Sequence, residues 1–180
     1  TPALPPLAQL SDATQFVAWL RQVAPYVHAH RGRTFVVAFS GSLIEAGALT
    51  ALIQDVSLLN AMGIRIVLVH GSRPQVQAQL ALKGIESRFH NDVRITDAAA
   101  LECVKEAAGE IRLDIEAAFS QGLPSTPMAH SKVRVVSGNF VTARPMGVID
   151  GTDLALTGVV RKVDTEALRF VLANGGLVLL

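Results

Sequence analysis

The stretch TFVVAFSGSLIEAG, residues 34–47, decides the fold class of this chain. Its first half is a continuous apolar run rich in β-branched side chains, which predicts a strand buried on both faces of a sheet. The Ser-Gly pair that follows predicts a turn, and the residues after it predict a helix. This order is typical of a site that binds phosphate or another anion. Such a site needs a cation, yet the strand offers only Val36, Val37, Ala38 and Phe39.

The same alternation continues along the chain. Residues 64–69, IRIVLV, predict a second buried strand, and residues 73–82 predict the next helix. Residues 93–96, VRIT, predict a short strand, and Thr96 or Asp97 opens a long helix. The apolar face of that helix is expected to comprise Leu101, Val104, Ala108, Ile111 and Ile115. This order predicts an α/β fold with a mainly parallel sheet and ligand sites at the carboxyl ends of its strands.

The last third of the chain has a different pattern. Between residues 133 and 163, short β-branched runs are interrupted by glycine and proline, which predicts a small antiparallel hairpin region. Asp150-Gly151 is expected to form a hairpin turn. Asp164 is expected to cap a final helix, which ends before a buried strand, LVLL, at residues 177–180.

The beginning of the chain stands apart from this pattern. Residues 1–11 contain three prolines and are expected to form a flexible lead-in, followed by a helix over residues 12–31. Pro25 should kink or break that helix, because it removes a backbone donor. Trp19 and Tyr26 could serve a neighbouring subunit or a ligand, or could pack against the domain.

Composition limits the possible functions. The 180 residues are 50% hydrophobic, which predicts one domain with a sizeable core. A formal charge of +1 excludes proteins that bind nucleic acid or a membrane surface through a basic face, so we expect small molecules or further copies of the chain as partners. No apolar run reaches the ~20 residues that cross a bilayer, and no signal peptide is recognisable. We therefore expect a cytoplasmic protein.

Neither cysteine nor histidine predicts a metal site. Cys103 is the single cysteine, and its apolar neighbours favour an inert core thiol over a nucleophile. The five histidines are scattered along the chain and do not have the spacing of a ligand set. They are His28, His30, His70, His90 and His130.

Two glycine turns are the candidate anion sites. They are SGS at residues 40–42 and HGSRP at residues 70–74, and each is expected between a buried strand and a helix. Backbone N–H groups at a helix start favour an anion, which makes Gly41 and Gly71 candidate ligand-binding residues. The alternative is that each glycine serves only the geometry of a tight turn.

Three ordered motifs resemble the amino-acid kinase family. TFVVAFSGSLIEAG is similar to its first glycine loop, IRIVLVHGSRPQV to its second, and NDVRITDA to the strand with the substrate-binding arginine. Within the family, the resemblance is to N-acetylglutamate kinase and to the kinase-like domain of bacterial N-acetylglutamate synthase. It begins at APYVHAHRGRTFVV and includes VVSGNFVTARPMGVIDG, and therefore covers nearly the whole chain. It implies a three-layer α/β/α fold over residues 32–180.

Two departures from the kinase pattern separate these two relatives. Ala38 occupies the position of the kinase lysine that steadies the transferred phosphoryl group, and phosphoryl transfer depends on such cations. The kinase sequence HGGGP is replaced by HGSRP, so Ser72 and Arg73 stand where the kinases keep bare backbone. Both changes resemble the synthase, which suggests a domain without phosphotransfer activity. Arg73 could bind a carboxylate or fill the former pocket.

The synthase resemblance implies a function for a longer protein. That protein would acetylate L-glutamate from acetyl-CoA, the first step of arginine biosynthesis, through an acetyltransferase domain C-terminal to this chain. The chain would be the N-terminal part of the kinase-like domain and would hold no catalytic residue, cofactor or metal. L-arginine would be the feedback inhibitor, with Tyr26 at its site, and the chain would self-associate as a dimer or hexamer.

The resemblance also assigns a degenerate kinase site. Arg94 matches the arginine that grips the substrate carboxylate, and a guanidinium fork suits that geometry. Gly41, Gly71 and Arg73 complete the predicted ligand-binding set. Two alternatives stay open, which are an active acetylglutamate kinase with a cation from elsewhere and an oligomerisation scaffold that binds no ligand.

Overall fold

The computed structural model describes residues 12–121 and 133–180. The helices are α1 (Asp12–His30), α2 (Gly41–Glu45), α3 (Leu49–Ala61), α4 (Arg73–Leu82), α5 (Ala98–Gln121) and α6 (Thr165–Ala173). The strands are β1 (Thr34–Phe39), β2 (Arg65–His70), β3 (Arg88–His90), β4 (Val93–Ile95), β5 (Arg134–Ser137), β6 (Val141–Pro145), β7 (Val148–Ile149), β8 (Thr152–Asp153), β9 (Gly158–Val163) and β10 (Gly176–Leu179). No helix in these ranges is both long and apolar enough to cross a membrane.

Four parallel strands form the main sheet, in the order β1-β2-β10-β5. The last strand of the chain lies between β2 and β5, where Val178 is level with Val67 on one side and with Val136 on the other. All four residues of β10 are buried. The predicted α/β fold with a mainly parallel sheet is therefore confirmed.

Helices cover both faces of the sheet and complete three layers. On one face, α3 and α5 enclose a core that includes Ile66, Leu68 and Leu177. On the other face, α6 packs against Val67 and Val178. Successive residues of β2 and β10 thus point into opposite cores, as a strand's period of two requires.

The first strand differs from its prediction. The run TFVVAF was expected to be buried on both faces, but its residues alternate between exposed and half-buried, and Val36 is 67% exposed. Within the described residues β1 is an edge strand that pairs only with β2. Phe35, Val37 and Phe39 pack against the core of α3 and α5, whereas no described helix covers the face that carries Val36.

The hairpin region is only partly as predicted. β6 pairs with β9 and β7 pairs with β8 in antiparallel ribbons, and Asp150-Gly151 forms the turn between β7 and β8 with φ angles of +48° and +78°. β5, however, belongs to the main parallel sheet, because it pairs with β10. A further ribbon, β3–β4, joins through Asn91 and Asp92, both at positive φ.

The helices follow the predicted periods with two corrections. The buried stripe of α5 is shifted by one position for part of its length, and consists of Ala100, Cys103, Ala107, Ile111, Ile115 and Phe119. The Cys103 thiol is buried, as predicted. Pro25 does not break α1, which continues to His30. The predicted flexible lead-in at residues 1–11 lies outside the described residues.

The start of α6 offers a direct test of the capping prediction. The Asp164 carboxylate accepts a hydrogen bond of 3.0 Å from the Ala167 backbone N–H, which would otherwise lack a helical partner. We expect Asp164→Ala to lower the free energy of unfolding by about 1 kcal/mol. Urea denaturation measures this loss, with Asp164→Asn as the control that keeps a capping oxygen. An alanine variant as stable as the asparagine variant would contradict the capping role.

Candidate functional site

The two glycine turns meet at the carboxyl ends of β1 and β2. The Gly71 N–H donates to the Phe39 carbonyl over 2.8 Å, and the Gln75 side-chain amide donates to the Gly41 carbonyl over 2.8 Å. A Cβ added at Gly41 would lie 2.9 Å from the Gly71 carbonyl oxygen, closer than such atoms approach. Gly41 is therefore needed for the close approach of the two turns, and a Cβ at Gly71 would make a tight contact of 3.3 Å with the Gly41 nitrogen.

His70 ends β2 directly before the second glycine turn. Burial lowers the pKa of its imidazole, and contact with the Gly71 backbone partly opposes this effect. The neutral imidazole is therefore the form that the fold favours. It does not supply the cation that is missing from β1.

A pH dependence of stability follows from this lowered pKa. At a pH below the ordinary pKa of histidine, the unfolded chain binds a proton at His70, whereas the folded chain binds it less readily. The free energy of unfolding should therefore fall as the pH drops through that range. We expect His70→Gln to flatten this part of the plot of unfolding free energy against pH. Denaturant melts between pH 5 and 8 measure the slope, and His28→Gln on α1 controls for the loss of one histidine. An unchanged slope in His70→Gln would contradict the assignment.

Arg73 and Arg94 both lie against one aromatic ring. The guanidinium carbon of Arg73 is 5.0 Å from the centre of the Phe89 ring, and that of Arg94 is 4.8 Å from it. The residues come from the start of α4 and from the β3–β4 ribbon, which the fold brings together. Burial, and then the charge of Arg73, lower the pKa of Arg94.

Arg94 is held in place by several contacts. Its guanidinium donates to the Ser87 hydroxyl and, over 3.4 Å, to the Gln77 side-chain oxygen. The Thr157 hydroxyl donates to the Arg94 carbonyl over 2.5 Å and accepts from the Thr96 N–H over 3.1 Å. Both the side chain and the backbone of Arg94 are thus fixed before any ligand binds.

The two arginines line a cavity of about 260 Å³. Its described lining consists of Ser72, Arg73, Val76, Phe89, Asp92, Arg94, Thr96 and Val104. In the described parts of the chain, neither arginine forms an ion pair with a carboxylate. The cavity therefore presents two cations with Asp92 as its one described carboxylate, which suits a small anion.

The remaining predicted residues lie elsewhere. Ala38 is exposed on β1, beside Val69 in the register of the sheet. Tyr26 is 68% exposed on α1 and does not line the cavity that contains Arg73 and Arg94. Across residues 12–121 and 133–180, no three histidine, cysteine or carboxylate side chains are grouped closely enough to hold a metal ion.

Two residues of this site, Phe89 and Thr157, were not predicted from the sequence. Phe89 reaches Arg94 through the pairing of β3 with β4, and Thr157 reaches it through the packing of the segment before β9 against β4. The Asn91-Asp92 pair was a usable signal, since both residue types tolerate positive φ in tight turns. It would have predicted the β3–β4 ribbon, and with it the position of Phe89 beside Arg94.

The sequence model of the Amino acid kinase family matches residues 33–180. The chain belongs to the amino acid kinase family. It is 57% identical to the amino-acid acetyltransferase of Ralstonia nicotianae over 97% of this chain and 39% of that protein. It is 48% identical to the amino-acid acetyltransferase of Ectopseudomonas mendocina over 92% of this chain and 38% of that protein.

The fold of the chain is also similar to that of a solved N-acetylglutamate synthase. N-acetylglutamate synthase from Neisseria gonorrhoeae, complexed with coenzyme A and L-arginine, superposes with a TM-score of 0.83 and 42% identity. The superposition covers 92% of this chain and 39% of that one. The resemblance to the amino-acid kinase family and its synthase branch is thus confirmed, and the chain spans about two fifths of the length of these relatives.

Proposed function

We propose that this chain is the regulatory and assembly part of an N-acetylglutamate synthase. The observation that carries the proposal is the 57% identity to an amino-acid acetyltransferase over 97% of the chain. In the proposed domain order, residues 12–31 form an N-terminal helix and residues 32–180 the first part of a kinase-like domain. The acetyltransferase domain belongs to the part of the relatives that this chain does not span, and the protein acts in the cytoplasm.

The proposed reaction takes place in that further domain. The α-amino nitrogen of L-glutamate attacks the acyl carbon of acetyl-CoA, the carbon–sulfur bond breaks, and the amide of N-acetylglutamate forms. The amine loses a proton, and coenzyme A leaves as the thiol. This chain contributes no group to these steps in our proposal, and its kinase-like site transfers no phosphoryl group because Ala38 supplies no charge.

The role in regulation rests on the arginine-bound relative and on α1. The synthase from Neisseria gonorrhoeae was solved with L-arginine. We infer that this chain likewise contributes to binding L-arginine as a feedback inhibitor, with Tyr26 as one contact. Large apolar side chains exposed along α1 support self-association, as a dimer or hexamer, through this helix. They are Phe16, Trp19, Leu20 and Val23.

Release of coenzyme A by the full-length protein tests this function. We expect thiol release from acetyl-CoA that requires L-glutamate and falls when L-arginine is added. Tyr26→Ala should raise the arginine concentration needed for half of this fall, and Phe170→Ala, a similarly exposed aromatic side chain on α6, is the matched control. No glutamate-dependent release would refute the synthase proposal. Thiol release that is unchanged by added L-arginine would refute only the regulatory part of the proposal and would favour the scaffold alternative.

A further inference from the structure

The β6–β9 ribbon has an apolar face that lies outside every described core. Val141 is level with Val163 across the ribbon, and Ala143 is level with Val160, so these four side chains share one face. All four are exposed, Val160 by 64%, and none packs in an apolar cluster of the described residues. A two-stranded ribbon is marginally stable by itself, so an uncovered apolar face on it indicates a partner surface.

The ribbon is also positively charged. Its two strands carry Arg144, Arg161 and Lys162 and contain no aspartate or glutamate. Within the part of the chain that the structure describes, none of these three cations forms an ion pair. Arg161 lies at the shift in register, where β9 has one residue more than β6. The partner surface should therefore combine an exposed apolar side chain with carboxylates.

The outer face of α5, which comprises Glu110, Leu113 and Asp114, has this combination. Leu113 is 59% exposed, and the two exposed carboxylates lie beside it at helical spacing, one turn or about 6 Å apart along the axis. Neither carboxylate has a cation partner among the described residues. The described side-chain hydrogen bonds and ion pairs of α5 reach Lys83, β5 and α5 itself, but not the ribbon of the same chain.

We propose that the β6–β9 ribbon of one copy docks against the outer face of α5 in a second copy. Val160 packs against Leu113 at the centre of this contact. Arg161 and Lys162 pair with the carboxylates beside Leu113, and an apolar centre with a charged rim is the usual anatomy of a protein interface. Opposite charges on two surfaces of the same chain favour another copy as the partner. The contact involves neither α1 nor acetyl transfer, and it is therefore additional to the proposed function.

Cross-linking of the full-length protein tests this contact directly. Unlabelled and nitrogen-15-labelled protein are mixed at low concentration, concentrated together and treated with a carbodiimide. The reagent takes up the water that is lost when the Lys162 amine and a carboxylate form an amide. We expect mass spectrometry to find peptides that join Lys162 of one isotope to Glu110 or Asp114 of the other.

Charge reversal decides whether the ribbon charges hold the contact. Arg161→Glu leaves the Lys162 amine in place but turns a neighbouring attraction into a repulsion, so the cross-link yield should fall about 10-fold. Arg169→Glu makes the same change at an exposed position on α6 and should leave the yield unchanged. Leu113→Gln keeps both carboxylates and removes the apolar centre, and it should lower the yield as well.

Three results would overturn the proposal. One is the absence of any link from Lys162 to Glu110 or Asp114. Another is a link found only within one isotope, which would place the contact inside a single chain. The last is the same cross-link yield in Arg161→Glu as in Arg169→Glu. None of these results bears on coenzyme A release, so a failure here stays distinct from a failure of the synthase proposal.

Discussion

Leu177→Ala is expected to lower the free energy of unfolding by about 2–5 kcal/mol. Leu177 lies in β10, the strand between β2 and β5, and its side chain is 0% exposed. It packs with Ile66, Leu68 and Ile111 in the core between the sheet and the helices α3 and α5. Alanine would leave a cavity at the centre of this core, because strands hydrogen-bonded on both sides of β10 cannot move inward to fill it.

The matched control is Leu82→Ala at the end of α4, where the leucine is 81% exposed. We expect this variant to stay within about 0.5 kcal/mol of the parent protein. Urea denaturation of both variants measures the difference. If the two substitutions cost the same, Leu177 would not lie in the packed core between the sheet and the helices α3 and α5.

Gly41→Ala is expected to lower the free energy of unfolding by about 1–3 kcal/mol, because it inserts a methyl group into a packed contact. The new Cβ would lie 2.9 Å from the Gly71 carbonyl oxygen and 3.1 Å from Pro74. The Gln75 side chain could turn away from the methyl group, but doing so would break its hydrogen bond to the Gly41 carbonyl. Backbone atoms of the second turn cannot move as easily, so the two turns should separate.

The control for this substitution is Gly109→Ala in α5. A Cβ at Gly109 would have no neighbour within 4 Å, and alanine favours the helix by up to about 1 kcal/mol. Thermal or urea melts of the two variants should therefore shift in opposite directions. A Gly41→Ala protein as stable as Gly109→Ala would mean that the glycine turns do not pack against each other as described.

The local order of strands and helices could be predicted from the sequence, because burial repeats with different periods in the two. Residues 73–82 were assigned to a helix with the bounds that α4 has. The cap at Asp164 followed from residue type and position alone, and its hydrogen bond confirms it. These features depend on neighbours a few positions apart, which a single sequence displays directly.

The arrangement of the strands in the sheet could not be predicted in the same way. An apolar run such as TFVVAF reads alike at the edge of a sheet and at its centre, although β1 is an edge strand and β10 a central one in the described structure. The strand order depends on pairings between distant residues, which are 42 positions apart between β5 and β10 and 111 positions apart between β2 and β10. β5 was misassigned for this reason, since its partner β10 lies near the end of the chain.

The residues of the candidate site likewise differ in whether the sequence could predict them. The glycine turns and Arg94 follow from motifs in which adjacent residues define the chemistry. Gln75 lies inside the second glycine-loop motif, and the Asn91-Asp92 turn indicates the position of Phe89, whereas Thr157 lies in no motif of the site. Their roles become visible only when α4, the β3–β4 ribbon and the segment before β9 are packed together.

The missing cation of β1 carries the central claim, namely that this site no longer transfers phosphate. Full-length protein should be incubated with magnesium, ATP and N-acetyl-L-glutamate, and any acyl phosphate trapped with hydroxylamine. The account predicts no ATP-dependent product from a preparation that acetylates L-glutamate in parallel. Formation of acetylglutamyl phosphate would contradict it, and would mean that a cation other than one at Ala38 serves an active kinase site.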